Sequence, residues 1–164
     1  MKTALLGLVI LALLVAAGWA MAPRREIVTE VDIAAPPERV WAVLTDTAKY
    51  PEWNPFIVSM QGDIHAGATL TNEMRPQAGS PMTFRPVVLR AEPDRELRWL
   101  GTLGFPRIFD GEHYFLLNPS PEGTRLVHGE RFRGIALWVI DPEQFRADFE
   151  ALNAALKARA ESAK

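Results

Sequence analysis

Two histidines and a glutamate, His113, His128 and Glu130, are the residues of this chain whose types and spacing could support proton chemistry. They lie in two runs, residues 109–117 and 124–133, whose alternating apolar and polar side chains predict antiparallel strands. Turn-forming residues 118–123 separate the runs and predict a hairpin. We expect the following pairs to lie opposite one another: Leu117 and Thr124, Phe115 and Leu126, His113 and His128, Gly111 and Glu130, Phe109 and Phe132. All would share one face, so the three polar residues would meet among aromatic side chains.

The polar trio allows four interpretations. Two imidazoles and a carboxylate could ligate a metal such as zinc, which needs at least three converging ligands. A histidine beside a carboxylate could act as general acid and base in an aldol cyclisation or a dehydration. One or two polar groups could instead orient an apolar ligand, or the histidines could simply satisfy each other, a backbone carbonyl or ordered water. Polar anchoring is the favoured interpretation, and no metal or other cofactor is expected.

The segment at residues 27–56 predicts the elements that begin the fold. Residues 27–33 alternate apolar and polar side chains and predict a strand, which Pro36 and Pro37 end. A short amphipathic helix follows to about Asp46, and a second brief helical turn comes after it. The corner at residues 53–56, Trp-Asn-Pro-Phe, then opens a new extended run.

The remainder of the chain predicts antiparallel strands closed by a long helix. Candidate strands cover residues 56–61, 67–75, 82–92 and 95–103, in addition to the two strands of the hairpin. Asp141-Pro142 then supplies an N-cap and a proline suited to the first turn of a helix of about five turns. Because a curved sheet cannot bury its concave side alone, this helix is expected to cover it.

The chain resembles the SRPBCC proteins, a START-like superfamily often labelled polyketide cyclase/dehydrase and lipid transport. The resemblance is carried by the runs VWAVLTDTAKYPEWNPF, PMTFRPVVLRAEPDRELRW, FDGEHYFLL and GTRLVHGERFRG, and it covers about residues 27–160. It implies an α+β helix-grip fold, in which a seven-stranded curved antiparallel sheet wraps round a long C-terminal helix and two short helices follow the first strand. It also implies a cavity for a small apolar ligand between the sheet and that helix.

The expected cavity is lined by aromatic side chains and the polar trio. Its assigned residues are Trp53, Phe56, Phe84, Trp99, Phe109, His113, Phe115, His128, Glu130, Phe132 and Phe149. Trp53 and Phe56 are placed at its mouth because they lie at the corner. The candidate catalytic residues are the trio itself. The apolar run at residues 134–138 is expected to cross over into the last helix, with a flap over the cavity as the alternative.

The N-terminus predicts a membrane segment. Residues 4–22 contain no charged residue and no proline, and as a helix they would nearly cross the roughly 30 Å hydrocarbon core of a bilayer. We expect an uncleaved transmembrane anchor; the alternative is a signal peptide cut after Ala20, since Lys2 precedes an apolar core that ends in small residues. Residues 1–22 are therefore assigned to this segment and residues 23–164 to one ligand-binding domain.

Composition removes several classes of function. The net charge of −2 and the scattered basic residues do not fit a nucleic-acid binder. The absence of cysteine excludes disulfides, thiol catalysis and cysteine-ligated metals. No dinucleotide fingerprint, phosphate-binding glycine loop or nucleophile elbow occurs in the sequence.

These observations favour a non-enzymatic, membrane-associated carrier or binding protein for a lipid, quinone or polyketide-like molecule. One alternative is an enzyme of the polyketide cyclase or dehydratase type that uses the cavity histidines and glutamate for proton transfer. A second alternative is a protein-interaction module such as a chaperone activator, although the sequence identifies no protein partner.

Overall fold

The computed structural model of the chain describes residues 21–162 together with Gly7, Gly18 and Trp19. The predicted membrane segment, residues 4–22, lies almost entirely outside the described residues. Within the described part of the chain, no helix is both long enough and apolar enough to cross a membrane. The N-terminal anchor therefore stays a prediction.

The first strand and the short helices after it form where the side-chain pattern predicts them. β1 (Arg24–Ile33) buries alternate side chains against the core. Pro36 has an extended backbone and precedes α1 (Pro37–Thr45), whose first turn needs no N–H from the proline at its start. A 3₁₀ turn (Thr47–Lys49) leads directly into α2 (Tyr50–Trp53).

The corner after α2 is built by one asparagine side chain. Asn54 Oδ1 accepts hydrogen bonds from the backbone N–H groups of Phe56, at 3.0 Å, and Ile57, at 2.8 Å. Asparagine commonly holds a turn in this way, because its side-chain oxygen can replace a backbone acceptor. The chain therefore turns sharply into the next strand and places the buried Phe56 on the core side.

Seven further strands complete two connected antiparallel sheets. They are β2 (Ile57–Gln61), β3 (Thr71–Met74), β4 (Met82–Phe84), β5 (Val87–Glu92), β6 (Glu96–Thr102), β7 (Asp110–Ser120) and β8 (Gly123–Arg133). The larger sheet has the order β1-β8-β7-β6-β5, and the smaller has the order β2-β3-β4. The predicted α+β helix-grip class is confirmed.

The described residues contain eight strands where seven were expected, because the predicted strand at residues 82–92 is divided at Pro86. Proline has no N–H for a sheet ladder, so a strand seldom continues through it. The Pro86 carbonyl accepts instead from Leu70 N–H at 2.8 Å, and Val88 bonds to the backbone of Gly67 and Ala68. These bonds join the two sheets into one curved wall.

The register of the β7–β8 hairpin differs from the prediction by two residues. Ser120 pairs with Gly123 across a two-residue turn, Phe115 lies opposite His128, and His113 lies opposite Glu130. The predicted turn was too long, since β7 continues through Asn118 and Pro119. A shift of two preserves the faces of both strands, so the polar trio still points to the same side of the sheet.

The chain returns from β8 through a crossover segment, residues 134–145, to the long helix. This segment contains two 3₁₀ turns, Ile135–Trp138 and Pro142–Phe145, and α3 (Arg146–Ser162) follows. Asp141 Oδ1 accepts from Glu143 N–H at 3.1 Å, as the predicted N-cap requires. The α3 side chains that pack fully buried against the sheet are Phe149, Leu152 and Leu156.

Candidate functional site

A cavity of about 350 Å³ opens at one end of the curved wall. Its lining comes from β2, β3, β4, β6, β7 and β8, from the loops that follow β3 and β6, from the crossover segment, and from the two connecting residues Phe56 and Pro86. Among the lining side chains only Asn72, His113, Glu130 and Gln144 are polar. The helix α3 supplies none of the lining residues, so the cavity does not lie between the sheet and the C-terminal helix as expected, but between the sheet and the crossover segment that precedes this helix. The large apolar side chains of α3 fill the other part of the concave face.

Seven of the eleven residues assigned to the cavity from sequence line it. They are Phe56, Phe84, Trp99, Phe109, His113, Glu130 and Phe132. Strand alternation brings most of these side chains together, because residues two apart on a strand face the same side of the sheet.

The other four assigned residues, Trp53, Phe115, His128 and Phe149, do not line the cavity. Trp53 packs edge-on against Tyr50, with ring centroids 5.1 Å apart, because α2 folds back onto the core. His128 lies one layer deeper, stacked between Phe115 at 4.3 Å and Phe149 at 4.4 Å. Packing against α3 separates this layer from the cavity. The order of residues along a strand does not reveal that separation.

A buried hydrogen-bond chain runs from the cavity wall to α3. Glu130 Oε2 lies 3.2 Å from His113 Nδ1, and His113 Nε2 lies 2.7 Å from His128 Nε2. His128 Nδ1 lies 2.7 Å from Asn153 Oδ1. Asn153 Nδ2 donates to Thr29 Oγ1 at 2.8 Å, and Thr29 donates to the His128 carbonyl at 3.0 Å. Five side chains on β1, β7, β8 and α3 therefore form one continuous polar chain inside an apolar core.

The carbonyl at the far end determines where each proton lies. A carbonyl can only accept, so the Thr29 hydroxyl donates to it and must itself accept from Asn153 Nδ2. Asn153 Oδ1 then accepts from His128 Nδ1–H. Neutral His128 has a lone pair on Nε2, which accepts from His113 Nε2–H. His113 Nδ1 is left as an acceptor, so Glu130 is the donor and carries a proton on Oε2.

Burial favours the same neutral state. It raises the pKa of Glu130 from 4.5 to about 8. It lowers the pKa of His113 from 6.5 to about 3. The pKa of His128 is held well below 6.5 by burial first and by the neighbouring His113 second. The contact between Glu130 and His113 is therefore a hydrogen bond between a carboxylic acid and a neutral imidazole, not a salt bridge, at neutral pH.

A glycine on the neighbouring strand leaves room for the Glu130 carboxyl group. A Cβ at Gly111 would lie 2.0 Å from Glu130 Oε1. This oxygen makes no hydrogen bond to another described residue, and Glu130 lines the cavity. The acid can thus accept a proton or a hydrogen bond at Oε1 while its Oε2 proton faces His113, which is the arrangement needed to exchange protons with a bound molecule.

Asn72 is a second polar group on the cavity wall, and the sequence analysis missed it. It is 2 % exposed, and its Oδ1 is buried without a hydrogen-bond partner. Buried amides are normally paired, so this one is suited to a ligand that brings its own donor. Asn72 could have been found from its position between Leu70 and Met74 on a predicted strand, because an inward-facing residue at such a position is usually apolar.

Thr29 and Asn153 were also missed. Asn153 lies four residues after Phe149 on the buried face of α3, and Thr29 lies between inward-facing residues of β1. A polar residue at such a position is the signal that could have located them. Within the described residues, no group of three or more His, Asp or Glu side chains is arranged to hold a metal ion.

The sequence of the chain matches one family of known proteins. The sequence pattern of the family described as "Polyketide cyclase / dehydrase and lipid transport" matches residues 24–161. No curated protein matches the chain.

Several solved structures share the fold. Norcoclaurine synthase from Thalictrum flavum, in complex with dopamine and hydroxybenzaldehyde, is 11 % identical with a TM-score of 0.71, over 90 % of this chain and 92 % of that one. A protein from Chromobacterium violaceum is 21 % identical with a TM-score of 0.67, over 83 % and 97 % of the two chains. The di-domain ARO/CYC BexL is 18 % identical with a TM-score of 0.62, over 86 % of this chain and 51 % of that one.

Proposed function

Because the chain belongs to the family described as polyketide cyclase / dehydrase and lipid transport, we propose that it is a membrane-associated carrier that binds a small hydrophobic molecule in its cavity. The observation that carries the proposal is the cavity of about 350 Å³, whose wall is apolar except for four side chains. Such a wall with a few polar groups is typical of small-molecule sites. The bound molecule would be a lipid, a quinone or a polyketide-like compound.

The polar side chains on the wall narrow the class of ligand. Asn72 Oδ1 is an acceptor without a partner, and Glu130 Oε1 is a second acceptor in the neutral acid. A ligand hydroxyl group carries one proton and would satisfy one of them, and a ligand with two donors would satisfy both. The volume lies at the lower end of the range for small-molecule pockets, which favours a ring system or a single short acyl chain over a diacyl lipid.

Narrowing the cavity tests this proposal. Met82→Trp places an indole on the cavity wall, whereas Thr83→Trp places the same group on the next residue of β4, which is exposed. We expect Met82→Trp to weaken the binding of fluorescent fatty acids or quinones by roughly tenfold or more, equivalent to about 1.4 kcal/mol. Thr83→Trp should bind as the wild type does.

Native mass spectrometry of the full chain gives an independent measurement. A ligand that co-purifies with the wild type and is lost from Met82→Trp supports a carrier. If no ligand co-purifies, and neither fatty acids nor quinones bind, the carrier proposal is wrong.

A second candidate function is that of a cyclase or dehydratase, and the buried hydrogen-bond chain favours it. During the removal of a proton from a carbon beside a ligand carbonyl, Glu130 Oε1 would accept that proton while Oε2 passes its own to His113 Nδ1. His113 would then carry the positive charge opposite the ligand enolate. A carrier requires no such exchange.

Glu130→Gln distinguishes the two functions. The amide keeps the shape of the acid and an N–H donor toward His113, but it cannot exchange a proton. For an enzyme we expect the loss of turnover of a β-keto thioester with binding retained, measured by product formation and by calorimetry. Unchanged turnover in this variant would exclude Glu130 as the acid and base, and the absence of turnover by the wild type would leave the carrier as the function.

A further inference from the structure

Large apolar side chains are exposed together at one end of the molecule. Their exposed fractions are 52 % for Leu103, 73 % for Phe105, 62 % for Trp138, 87 % for Val139 and 76 % for Met21. Contiguous exposed apolar groups on a folded protein generally mark a surface that is covered by something else. We call these five residues the apolar end.

Backbone hydrogen bonds hold the segments of the apolar end together. Ile135 N–H donates to the Arg107 carbonyl and Ala136 N–H to the Ile108 carbonyl, both at 3.0 Å. Gly134 N–H donates to the Pro23 carbonyl at 3.2 Å. The loop before β7, the crossover segment and the start of the described N-terminal chain therefore form one surface.

The cavity lies directly beneath this surface. Leu103 is both part of the apolar end and part of the cavity lining, and Ile140, the neighbour of Val139, also lines the cavity. A molecule that covers the apolar end would therefore lie against the part of the cavity wall formed by Leu103 and Ile140.

The N-terminal sequence indicates that a lipid bilayer covers the apolar end. Residues 4–22 carry no charge and are long enough to enter a bilayer, and this segment reaches the fold at Met21 and Pro23. A Cβ at Gly18 would lie 3.8 Å from the Trp138 ring, so Gly18 lies against the apolar end. Tryptophan and phenylalanine are suited to the membrane interface, and the nearby Arg24 and Arg25 are exposed and complement anionic headgroups.

We propose that the apolar end docks on a lipid bilayer and brings the Leu103 side of the cavity to the acyl region. One part of this inference rests on the proposed function: docking would give an apolar ligand a route between bilayer and cavity without passage through water. The docking itself requires no ligand.

The absence of cysteine from the chain allows a direct test. Single cysteines at Phe105→Cys and Val139→Cys in the full chain are labelled with an environment-sensitive fluorophore. Glu122→Cys serves as the control because it lies in the exposed turn at the opposite end of the β7–β8 hairpin. Each protein is reconstituted with phosphatidylcholine and phosphatidylglycerol vesicles, with or without a quencher attached to the lipid chains.

We expect the labels at 105 and 139 to shift to shorter wavelength and to lose intensity to the lipid quencher, while the label at 122 does neither. If the labels at 105 and 139 behave like the label at 122, the docking proposal is overturned, however residues 4–22 behave. Shielding from an aqueous quencher without lipid quenching indicates that a second copy covers the surface, and this result also overturns it.

Ligand binding, measured on the same samples, separates this proposal from the proposed function. If the labels dock but no fatty acid or quinone binds, only the carrier is excluded. If ligand binds but the labels stay in water, only the docking is excluded. As a second measurement, Phe105→Glu combined with Val139→Glu should slow the transfer of a fluorescent fatty acid from vesicles, whereas Thr83→Glu should not.

Discussion

Glu130 shows how one residue gains an unusual protonation state from its neighbours. Its side chain is only 16 % exposed and lies beside His113, with space for the carboxyl group over Gly111, and no lysine or arginine forms an ion pair with it among the described residues. An isolated carboxylate in such a place would be poorly solvated, so the neutral acid is favoured. The hydrogen-bond order from Thr29 to Glu130 requires the same proton. Geometry and electrostatics thus agree at this residue.

Glu130→Gln should change how stability depends on pH. The folded protein keeps the Glu130 proton up to about pH 8, whereas the unfolded chain loses it near pH 4.5. The folded state therefore binds one more proton in this window, and the free energy of unfolding falls by about 1.4 kcal/mol per pH unit as pH rises. The variant has no such proton, so wild-type minus variant stability should decrease by about 2 kcal/mol from about pH 6.5 to about pH 8 in urea titrations. A constant difference would contradict the neutral acid, and Glu122→Gln is the exposed control.

The histidines should produce the opposite slope at lower pH. The pKa of His113 is depressed to about 3 in the folded state and the pKa of His128 is depressed as well, so the unfolded chain binds more protons in the interval below about pH 6.5. Stability therefore rises with pH across this interval and is no longer affected by these groups above it. Below about pH 6.5 the two histidines change the free energy of unfolding with pH more than the one glutamate does. The contribution of the three residues to the free energy of unfolding should therefore be greatest near pH 6.5. Chemical denaturation of the wild type and of Glu130→Gln from pH 4 to 8 checks this maximum.

At the scale of elements, the crossover segment has two roles. It connects β8 to α3, and through Ile140, Gln144 and Phe145 it closes the cavity on the side that α3 leaves open. Its position depends on Gly134, which has φ +153° and bonds to the Pro23 carbonyl. The sequence interpretation of residues 134–138 as a crossover agrees with this path, and the segment also forms part of the cavity wall.

Gly134→Ala should displace the crossover segment. A Cβ there would lie 2.2 Å from the Ile108 carbonyl oxygen, which is backbone and cannot move aside easily. Gly67→Ala is a matched control, because Gly67 also has a positive φ, +87°, but no atom lies within 4 Å of a Cβ built on it. We expect the control to lose about 1–2 kcal/mol of stability for its backbone conformation alone. Gly134→Ala should lose clearly more stability than the control. Equal losses of stability in thermal denaturation would show that the contact with the Ile108 carbonyl is relieved by a small local shift.

At the scale of the whole molecule, the concave face is divided into a packed part and a hollow part. Beneath α3, Phe149, Leu152 and Leu156 pack into the sheet, and the hydrogen-bond chain crosses this region. On the N-terminal side of α3, between the crossover segment and β4, the concave face is left open and forms the cavity. The packed part stabilises the fold while the hollow part remains available to a ligand, so binding and stability depend on mostly different residues.

The predicted anchor gives an expected outcome for the full chain. If residues 4–22 form an uncleaved anchor, the protein should stay in the membrane fraction after an alkaline carbonate wash and keep its full-length mass. If they form a signal peptide, the mature chain should begin at Met21 and leave the membrane fraction on washing. Replacing Leu13 and Leu14 with arginine should release the anchored form, whereas two exposed arginines at Thr83 and Glu122 should not. Mass spectrometry and fractionation measure both properties.

Much of the fold and part of the site could be predicted because they depend on local patterns. Alternation along β1, β7 and β8, the prolines at the start of α1 and the Asp141 cap are readable in short stretches of sequence, and each formed as expected. The same alternation located Glu130 and His113 on the cavity wall. The hairpin register was wrong by two residues because turn-forming residues extended the strands instead of interrupting them.

The sequence by itself determined the face on which the polar trio lies, because that follows from periodicity along single elements. It also predicted antiparallel strands closed by a long helix, and the resemblance of its segments to the SRPBCC proteins implied the helix-grip class. Only the tertiary structure decided that His128 is sealed between Phe115 and Phe149, that Asn153 and Thr29 orient its protons, and that the cavity lies beside the crossover segment. These features depend on contacts between residues up to 124 positions apart in the chain. Such contacts arise from the packing of α3 against the curved sheet, and no local pattern encodes which side chains that packing brings together.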